Sequence, residues 1–223
     1  MKKIIQSIVL ISTVFGYSQL TPKYFINEKG MVINQKEFYS TLHQNETSTL
    51  WIYNKKDSSK VAKLSNNRYF TMKTNYKDFL NTINKITNKN YLDSTTFIIE
   101  YKFKDDYCEG NINNNWKNDS SNLRKKFTSN LKSAIEKNKN IIYLYFFENG
   151  IKVQEDTTNS NFYYQDNNGF FRKNFFLNPT LCGSFIICKP NGEILVRNGE
   201  YRADKMLEYL EPKIWNSLFT TTH

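Results

Sequence analysis

The clearest hydrophobic pattern in this chain lies in its second half, where two apolar runs flank an amphipathic stretch. Residues 95–103 and 141–147 are rich in aromatic and β-branched side chains, which favours strands, the second of them buried on both faces of a sheet. Between them, apolar residues recur at helical spacing: Leu123, Phe127, Leu131, Ala134 and Ile135. We expect a helix that begins at Ser120 or Ser121, and thus a right-handed βαβ unit with parallel strands.

A β-hairpin and a closing helix are predicted nearer the C-terminus. Residues 183–188 and 193–197 have strand character, and the Asn-Gly pair between them favours the positive-φ turn that joins antiparallel strands. Residues 203–210 carry apolar residues at helical spacing and are soon followed by a proline. Residues 150–177 combine many Asn residues with a dense aromatic set, and their pattern does not decide between helix and strand.

The pattern is weaker toward the N-terminus. Residues 35–43 have apolar residues at helical spacing, whereas residues 50–53 and 68–72 are rich in the aromatic and β-branched residues typical of strands. Asn75 can cap a further helix that continues to Ile86. We therefore expect a small mixed α/β region in this part of the chain.

The first 18 residues have the layout of a secretory signal peptide. Lys2 and Lys3 precede an uncharged, mostly apolar run, and Gly16-Tyr17-Ser18 forms a small-x-small cleavage site. A membrane anchor is the alternative, but the run is shorter than the roughly 20 apolar residues that a spanning helix needs. We expect cleavage after Ser18 and a bacterial protein without a transmembrane segment, located in the periplasm or secreted.

Cleavage at this site would leave about 205 residues, enough for one large domain or for a domain with a smaller N-terminal companion. We expect an N-terminal α/β region over residues 19–93, a main domain over residues 94–212 and a C-terminal tail over residues 213–223. The aromatic share of 16% supplies enough bulky apolar surface for a sizeable core.

The positive charge of the chain does not by itself indicate a nucleic-acid partner. The formal net charge is +10, and loss of Lys2 and Lys3 with the signal would leave +8. A charge of this sign can favour nucleic acid or an anionic surface, but the lysines are scattered along the sequence. The densest cluster, Arg124-Lys125-Lys126, lies on the predicted helix with Leu123 and Phe127 turned inward, so a solvated helix face explains it. We therefore expect no nucleic-acid partner.

The motifs predict neither a metal site nor a cofactor. The histidines are His43 and His223, and no clustered Cys or His spacing typical of zinc is present. The sequence contains no glycine-rich phosphate loop and no Ser-His-Asp set, and its acidic residues show no paired-carboxylate arrangement. Nothing in the sequence indicates a hydrolase.

Three cysteines leave at least one unpaired within an exported chain. Cys182 and Cys188 flank a predicted strand, whose rise of about 3.3 Å per residue would hold them roughly 20 Å apart. A disulfide needs Cα atoms within about 7 Å, so these two cannot pair if the strand forms. Both could be small buried core residues, and for Cys188 this is the interpretation we favour.

The order of elements over residues 95–211 resembles the thioredoxin fold. Asn178-Pro179-Thr180 before a strand, the turn Lys189-Pro190-Asn191-Gly192 and the strand end Arg197-Asn198-Gly199 are similar to the second half of secreted thiol-disulfide oxidoreductases. The resemblance implies an α/β, thioredoxin-like domain with a small mixed α/β region before it. It also implies that Pro179 is cis and faces the redox cysteine.

The same resemblance assigns Cys108 to the position of the nucleophilic cysteine, with Pro179 as its catalytic companion. Phe103 ends the first strand, three residues intervene, and an aromatic residue precedes the cysteine, as in the family. The resolving position holds Asn111, which gives Cys-Glu-Gly-Asn and a degenerate active site, because intramolecular release of a mixed disulfide needs a second sulfur. Cys182 is the one plausible substitute, so a Cys108–Cys182 disulfide is possible.

Three functions remain open at this level. The first is an exported, weakly redox-active or inactive thioredoxin-like protein that binds an unknown protein or peptide. Its contact surface would consist of the former active-site loop and the aromatic residues of 162–176. Packing in the core is the alternative for these aromatic residues. The second is a single-cysteine oxidoreductase or isomerase that uses Cys108, with Pro179 holding the substrate backbone. The third is a structural surface protein without a catalytic role.

Overall fold

A computed structural model describes residues 21–108, 112, 114–117, 126–138, 140–154 and 163–220. The expected signal peptide, Asn111 and the predicted helix start at Ser120 or Ser121 lie outside the described residues. Within the described part of the chain, no helix combines the length and hydrophobicity that a membrane span requires.

The N-terminal part forms a four-stranded mixed sheet with one helix against it. Its elements are β1 (Tyr24–Ile26), β2 (Val32–Ile33), α1 (Gln35–Gln44), β3 (Ser48–Asn54) and β4 (Lys60–Asn66). The strand order is β2-β1-β4-β3, with β1 and β4 parallel and the other pairs antiparallel. The side chain of Asn34 caps α1 by accepting a hydrogen bond from the amide of Glu37 at 2.9 Å.

The rest of the chain forms a six-stranded mixed sheet, with a pair of two-residue strands beside it. In chain order the strands are β5 (Tyr69–Lys73), β6 (Thr96–Lys102), β7 (Asn115–Trp116), β8 (Ile141–Glu148), β9 (Lys152–Val153), β10 (Tyr163–Asp166), β11 (Ser184–Cys188) and β12 (Glu193–Asn198). The large sheet has the order β10-β8-β6-β11-β12-β5, and β7 pairs with β9. The chain is therefore an α/β protein with mixed sheets.

The predicted pairings in the centre of this sheet are confirmed. Strands β6 and β8 are parallel, and β11 and β12 form an antiparallel hairpin. In addition, β11 pairs antiparallel with β6, which the hydrophobic pattern alone did not predict. Strand β10 lies parallel to β8 at one edge, and β5 pairs antiparallel with β12 at the other. Thus β5, which the sequence groups with the N-terminal region, belongs to the large sheet.

Within the described residues, the helical segments that accompany the large sheet are α2 (Tyr76–Thr87), α3 (Ser129–Glu136), α4 (Phe170–Asn174), a 3₁₀ helix (Ala203–Leu210) and α5 (Pro212–Thr220). Asn75 caps α2 as predicted, through hydrogen bonds from the amides of Lys77 and Asp78. In α3 Leu131 is buried, but Phe127 is 46% exposed. The prediction that Phe127 faces inward is wrong, because the turn at Thr128 breaks the helical phase ahead of α3.

Two apolar cores cover the two faces of the large sheet. On one face, α2 and α4 pack over the odd-numbered residues of β6 and their neighbours, including Phe97, Ile99 and Phe146. On the other face, Ile98 of β6 packs with residues of α3, the 3₁₀ helix and α5. Burial on both faces explains why β6 and β8 read as nearly continuous apolar runs. The four-stranded sheet has a smaller core of its own beneath α1.

Candidate functional site around the Cys108–Cys182 disulfide

A disulfide joins the loop after β6 to the segment that enters β11. Strands β6 and β11 are antiparallel neighbours with Tyr101 opposite Ser184, so the end of one lies beside the start of the other. Cys108 and Cys182 follow and precede these strands, and their Cα atoms lie 4.8 Å apart. The structure therefore contains the pairing that the resemblance left open, and Cys182 is not the free core residue of the alternative interpretation.

A buried carboxylate holds both ends of this disulfide. The Oδ1 atom of Asp106 accepts hydrogen bonds from the amide of Cys108 at 2.9 Å and from the amide of Cys182 at 3.2 Å. Its Oδ2 atom lies 3.1 Å from the ammonium group of Lys102, and the residue is 4% exposed. Bonds of this kind to a charged acceptor are stronger than neutral ones. Asp106 thus fixes the backbone on both sides of the sulfur bridge.

The chain enters β11 through two residues with left-handed backbone conformation. Cys182 has φ of 66° and Gly183 has φ of 81°. A Cβ atom on Gly183 would lie 2.7 Å from the carbonyl oxygen of Tyr101, a distance at which something must shift. Position 183 therefore requires glycine, because glycine tolerates positive φ and because a residue without Cβ lets the backbone approach β6 closely.

A chain of buried polar side chains fixes the segment between Pro179 and β11. The hydroxyl of Thr180 accepts a hydrogen bond from the amide of Gly199 at 2.9 Å and lies 3.1 Å from the hydroxyl of Ser184. Ser184 in turn donates to Oδ1 of Asn198 at 2.9 Å. The motif residues around positions 180 and 198, far apart in sequence, are thus in direct contact.

The expectation of a cis bond before Pro179 is wrong. The described residues contain no cis peptide bond, so the bond between Asn178 and Pro179 is trans. The change of chain direction before β11 occurs instead at Cys182 and Gly183, whose left-handed conformations turn the backbone. Pro179 therefore does not present the cis backbone that the resemblance assigns to a substrate-binding residue.

The N-terminal sheet contacts both sides of the disulfide through β3. The amide of Leu181 donates to the carbonyl of Leu50 at 2.8 Å, next to Cys182. On the other side, the hydroxyl of Tyr107 donates to Oδ1 of Asn54 at 2.9 Å. The rings of Trp51 and Phe103 also pack edge to face, with centroids 6.0 Å apart. The disulfide thus lies where the two sheets meet.

The thiol chemistry of the chain follows from these positions. Cys108 is exposed and Cys182 is half-buried, but neither has a free thiol while the disulfide is formed. Cys188 is the free cysteine and is buried in the core of the large sheet, as expected from the sequence. Burial raises the pKa of the Cys188 thiol to about 12. A thiolate nucleophile is therefore absent from the folded, oxidised protein at neutral pH.

The aromatic segment before Pro179 is mostly core. The rings of Phe171, Phe175 and Phe176 are buried, whereas Phe162 lies outside the described residues. Phe176 stacks on Tyr101 with ring centroids 4.5 Å apart. Core packing thus accounts for most of these side chains, and they do not form an exposed contact surface.

A second polar cluster holds this segment in place. Arg172 forms an ion pair with Glu148 at 2.9 Å and donates from its guanidinium to the carbonyls of Phe176 and Leu177. Nearby, the Tyr101 hydroxyl donates to the buried Asp166 carboxylate at 3.1 Å. Burial, followed by the carboxylates of Asp166 and Glu148, raises the pKa of Tyr101 above its ordinary value. Tyr101 therefore stays protonated and acts as a hydrogen-bond donor.

Asp106 is adjacent enough in sequence to be expected to oppose a thiolate at Cys108, but sequence reasoning missed its role as an acceptor for both cysteine amides. Its local signal was the Asp-x-Cys spacing, since a side-chain oxygen two residues before an amide commonly accepts from it.

Among the described residues, no group of three or more His, Cys, Asp or Glu side chains could hold a metal ion. No protein-family model matches this chain, and no curated protein is detectably similar to it.

Proposed function

We propose that this chain is an exported thioredoxin-like protein that binds a protein or peptide partner and does not catalyse thiol–disulfide exchange. One observation carries the proposal. Cys108, which the sequence resemblance places at the nucleophile position, is joined to Cys182, so the oxidised protein has no thiol there. The former active site then acts as a brace that shapes a binding surface.

The strand connectivity supports the thioredoxin-like part of this proposal. A parallel βαβ pair, β6 and β8, is followed by the hairpin of β11 and β12, and β11 lies antiparallel beside β6. This is the order that the resemblance predicts. The additional strands β5 and β10 extend the sheet at its edges, and the trans bond before Pro179 departs from the family pattern.

The surroundings of the disulfide argue against catalytic exchange. Attack by an external thiolate on Cys108 would form a mixed disulfide there and release Cys182 as a thiolate. The carboxylate of Asp106 contacts the backbone of both cysteines. A carboxylate this close disfavours the negative charge that a departing thiolate would carry, and it therefore disfavours disulfide exchange.

The disulfide also supports export. Stable disulfides are typical of oxidising compartments, whereas the cytosol keeps thiols reduced. This agrees with the signal-peptide layout of residues 1–18. We therefore propose a bacterial envelope or extracellular location, with the bridge formed after export.

The single-cysteine oxidoreductase keeps one observation in its favour, the exposed position of Cys108. An insulin-reduction assay with dithiothreitol decides between the two functions. We expect wild type, Cys108→Ser and the control Cys188→Ser to give the uncatalysed rate, because the Asp106 carboxylate beside both bridge cysteines disfavours a thiolate there. Faster insulin precipitation with wild type than with Cys108→Ser would establish the enzyme and overturn the binding proposal.

A thiol titration of the same oxidised samples checks the premise of that assay. Native wild-type protein should show no reactive thiol, and unfolding in guanidinium should expose one per chain, from Cys188. Peptide mapping should then find Cys108 linked to Cys182. A native, reactive thiol at Cys108 would contradict the proposal directly.

A further inference from the structure

Four lysines from two separate segments of the sequence lie together at one end of the four-stranded sheet. Lys55 and Lys56 are in the turn between β3 and β4, Lys60 begins β4, and Lys23 immediately precedes β1. The amide of Lys23 donates to the carbonyl of Lys60 at 2.9 Å, and Lys60 pairs with Asn54 across β4 and β3. Three neighbouring strands thus bring these lysines to one place, which we call the lysine surface.

The lysine surface packs on two tyrosines, and one of them, Tyr107, connects it to the disulfide. The ammonium group of Lys55 lies 4.2 Å from the centroid of the Tyr24 ring, and that of Lys23 lies 5.4 Å from it. The ammonium group of Lys60 lies 4.9 Å from the centroid of the Tyr107 ring. Because Tyr107 directly precedes Cys108, the positive surface reaches the loop that the disulfide braces.

The lysine surface keeps an excess of positive charge. Its turn contains one carboxylate, Asp57, which accepts hydrogen bonds from the hydroxyl and the amide of Ser59. These bonds, and more weakly Lys23 and Lys55, lower the pKa of Asp57, so it carries a full negative charge. One carboxylate does not balance four lysines, of which Lys23, Lys55 and Lys56 are exposed.

We propose that the lysine surface binds an acidic segment, rich in Asp or Glu, of the partner protein. This inference rests on the proposed function and names the chemistry of the partner. Carboxylates complement clustered ammonium groups, and such complementarity sets both encounter rate and register. The rigid brace between Cys108 and Cys182 keeps the Tyr107 side of the surface in place.

Other anionic partners fit the lysine surface less well. Single-stranded nucleic acids need open aromatic planes on which bases stack, whereas the rings of Tyr24 and Tyr107 are half-buried and covered by lysine ammonium groups. A membrane-surface element needs apolar side chains to insert among the lipids. The turn offers Asn54, Asp57, Ser58 and Ser59 beside its lysines, and none of these is apolar.

Fluorescence anisotropy with a labelled ten-residue Glu-Ser peptide tests this inference on the full mature chain. Lys23→Glu/Lys55→Glu is compared with Lys77→Glu/Lys85→Glu, which makes the same charge change on exposed positions of α2. We expect binding about ten-fold weaker for the first variant and within about two-fold of wild type for the second, with wild-type binding weakened by salt.

Three results would overturn the inference. Wild type and Lys23→Glu/Lys55→Glu could bind the peptide with equal affinity, or both double variants could lose the same amount of affinity. Wild type could also bind a single-stranded oligonucleotide or an anionic vesicle more tightly than the peptide. The insulin assay separates this failure from that of the proposed function. Insulin reduction with intact peptide binding would overturn only the non-catalytic role, whereas an inactive protein without peptide binding would overturn only the lysine surface.

Discussion

At the residue scale, the disulfide depends on one buried carboxylate. Asp106 accepts from both cysteine amides and pairs with Lys102, whose side chain is 14% exposed. A hydrogen bond to a charged group contributes about 1.5–3 kcal/mol to stability. Asp106 therefore stabilises the site far more than an exposed ion pair would, and its effect is separable from that of the sulfur bridge.

Comparing Asp106→Ala with Asp106→Asn isolates this effect. Both variants lose the ion pair with Lys102, but only asparagine retains an oxygen that can accept from the two cysteine amides. We expect Asp106→Ala to have a free energy of unfolding about 1–3 kcal/mol lower than Asp106→Asn. Urea unfolding with the disulfide intact measures the difference, and equal stability of the two variants would contradict the role of the amide bonds.

At the element scale, the start of β11 is the most constrained segment of the site. It combines positive φ at Cys182 and Gly183 with a backbone contact to β6. The strand itself, residues 184–188, is buried throughout. Strand character is readable from its apolar residues, but the geometry of its entry depends on the neighbouring strand.

Gly183→Ala should be strongly destabilising, and Gly30→Ala provides a matched control. Both glycines have φ near 80°, but a Cβ at position 183 would meet the Tyr101 carbonyl at 2.7 Å, while a Cβ at position 30 would meet no atom within 4 Å. We expect a loss of about 1 kcal/mol at Gly30, from backbone strain, and at least about 2 kcal/mol at Gly183. Thermal unfolding measures both, and equal losses would show that the close approach to β6 costs nothing.

At the scale of the whole molecule, the disulfide braces the region where the two sheets meet. It closes a loop between positions 74 residues apart, and the contacts of Leu181 and Tyr107 with β3 lie on either side of it. A bridge over a loop of this length stabilises a fold by about 4 kcal/mol in the chain-entropy model. Its loss should also loosen the contacts between the sheets.

Cys108→Ser/Cys182→Ser should therefore have a free energy of unfolding about 3–4 kcal/mol lower than that of wild type, because the unfolded chain without the bridge gains conformational entropy. Urea unfolding measures this difference. In this variant, hydrogen exchange at the amides of Leu181 and its neighbours should become faster than in wild type, and this increase should be larger than the increase in the centre of β6. Cys188→Ser serves as the control, since it removes a core sulfur without opening the bridge. Unchanged stability in the double variant would contradict the brace.

The sequence by itself determined the α/β class and the central strands of the large sheet. Residues 95–103, 141–147 and 183–197 could be read as strands because hydrophobic periodicity and turn residues are local properties. The burial of Cys188 was also predictable, since it ends an apolar strand. The boundary of the N-terminal region was less readable, because β5 pairs with β12, which lies more than a hundred residues further along the chain.

Only the tertiary structure decided the chemistry of the site. The Cys108–Cys182 pairing, the role of Asp106 and the trans bond before Pro179 arise where the end of β6 meets the start of β11. The lysine surface likewise exists because β1, β3 and β4 lie side by side. The physical reason is the same in each case: local periodicity specifies which face of a strand is apolar, whereas charge, hydrogen bonding and sulfur pairing depend on which distant segments the sheet brings into contact.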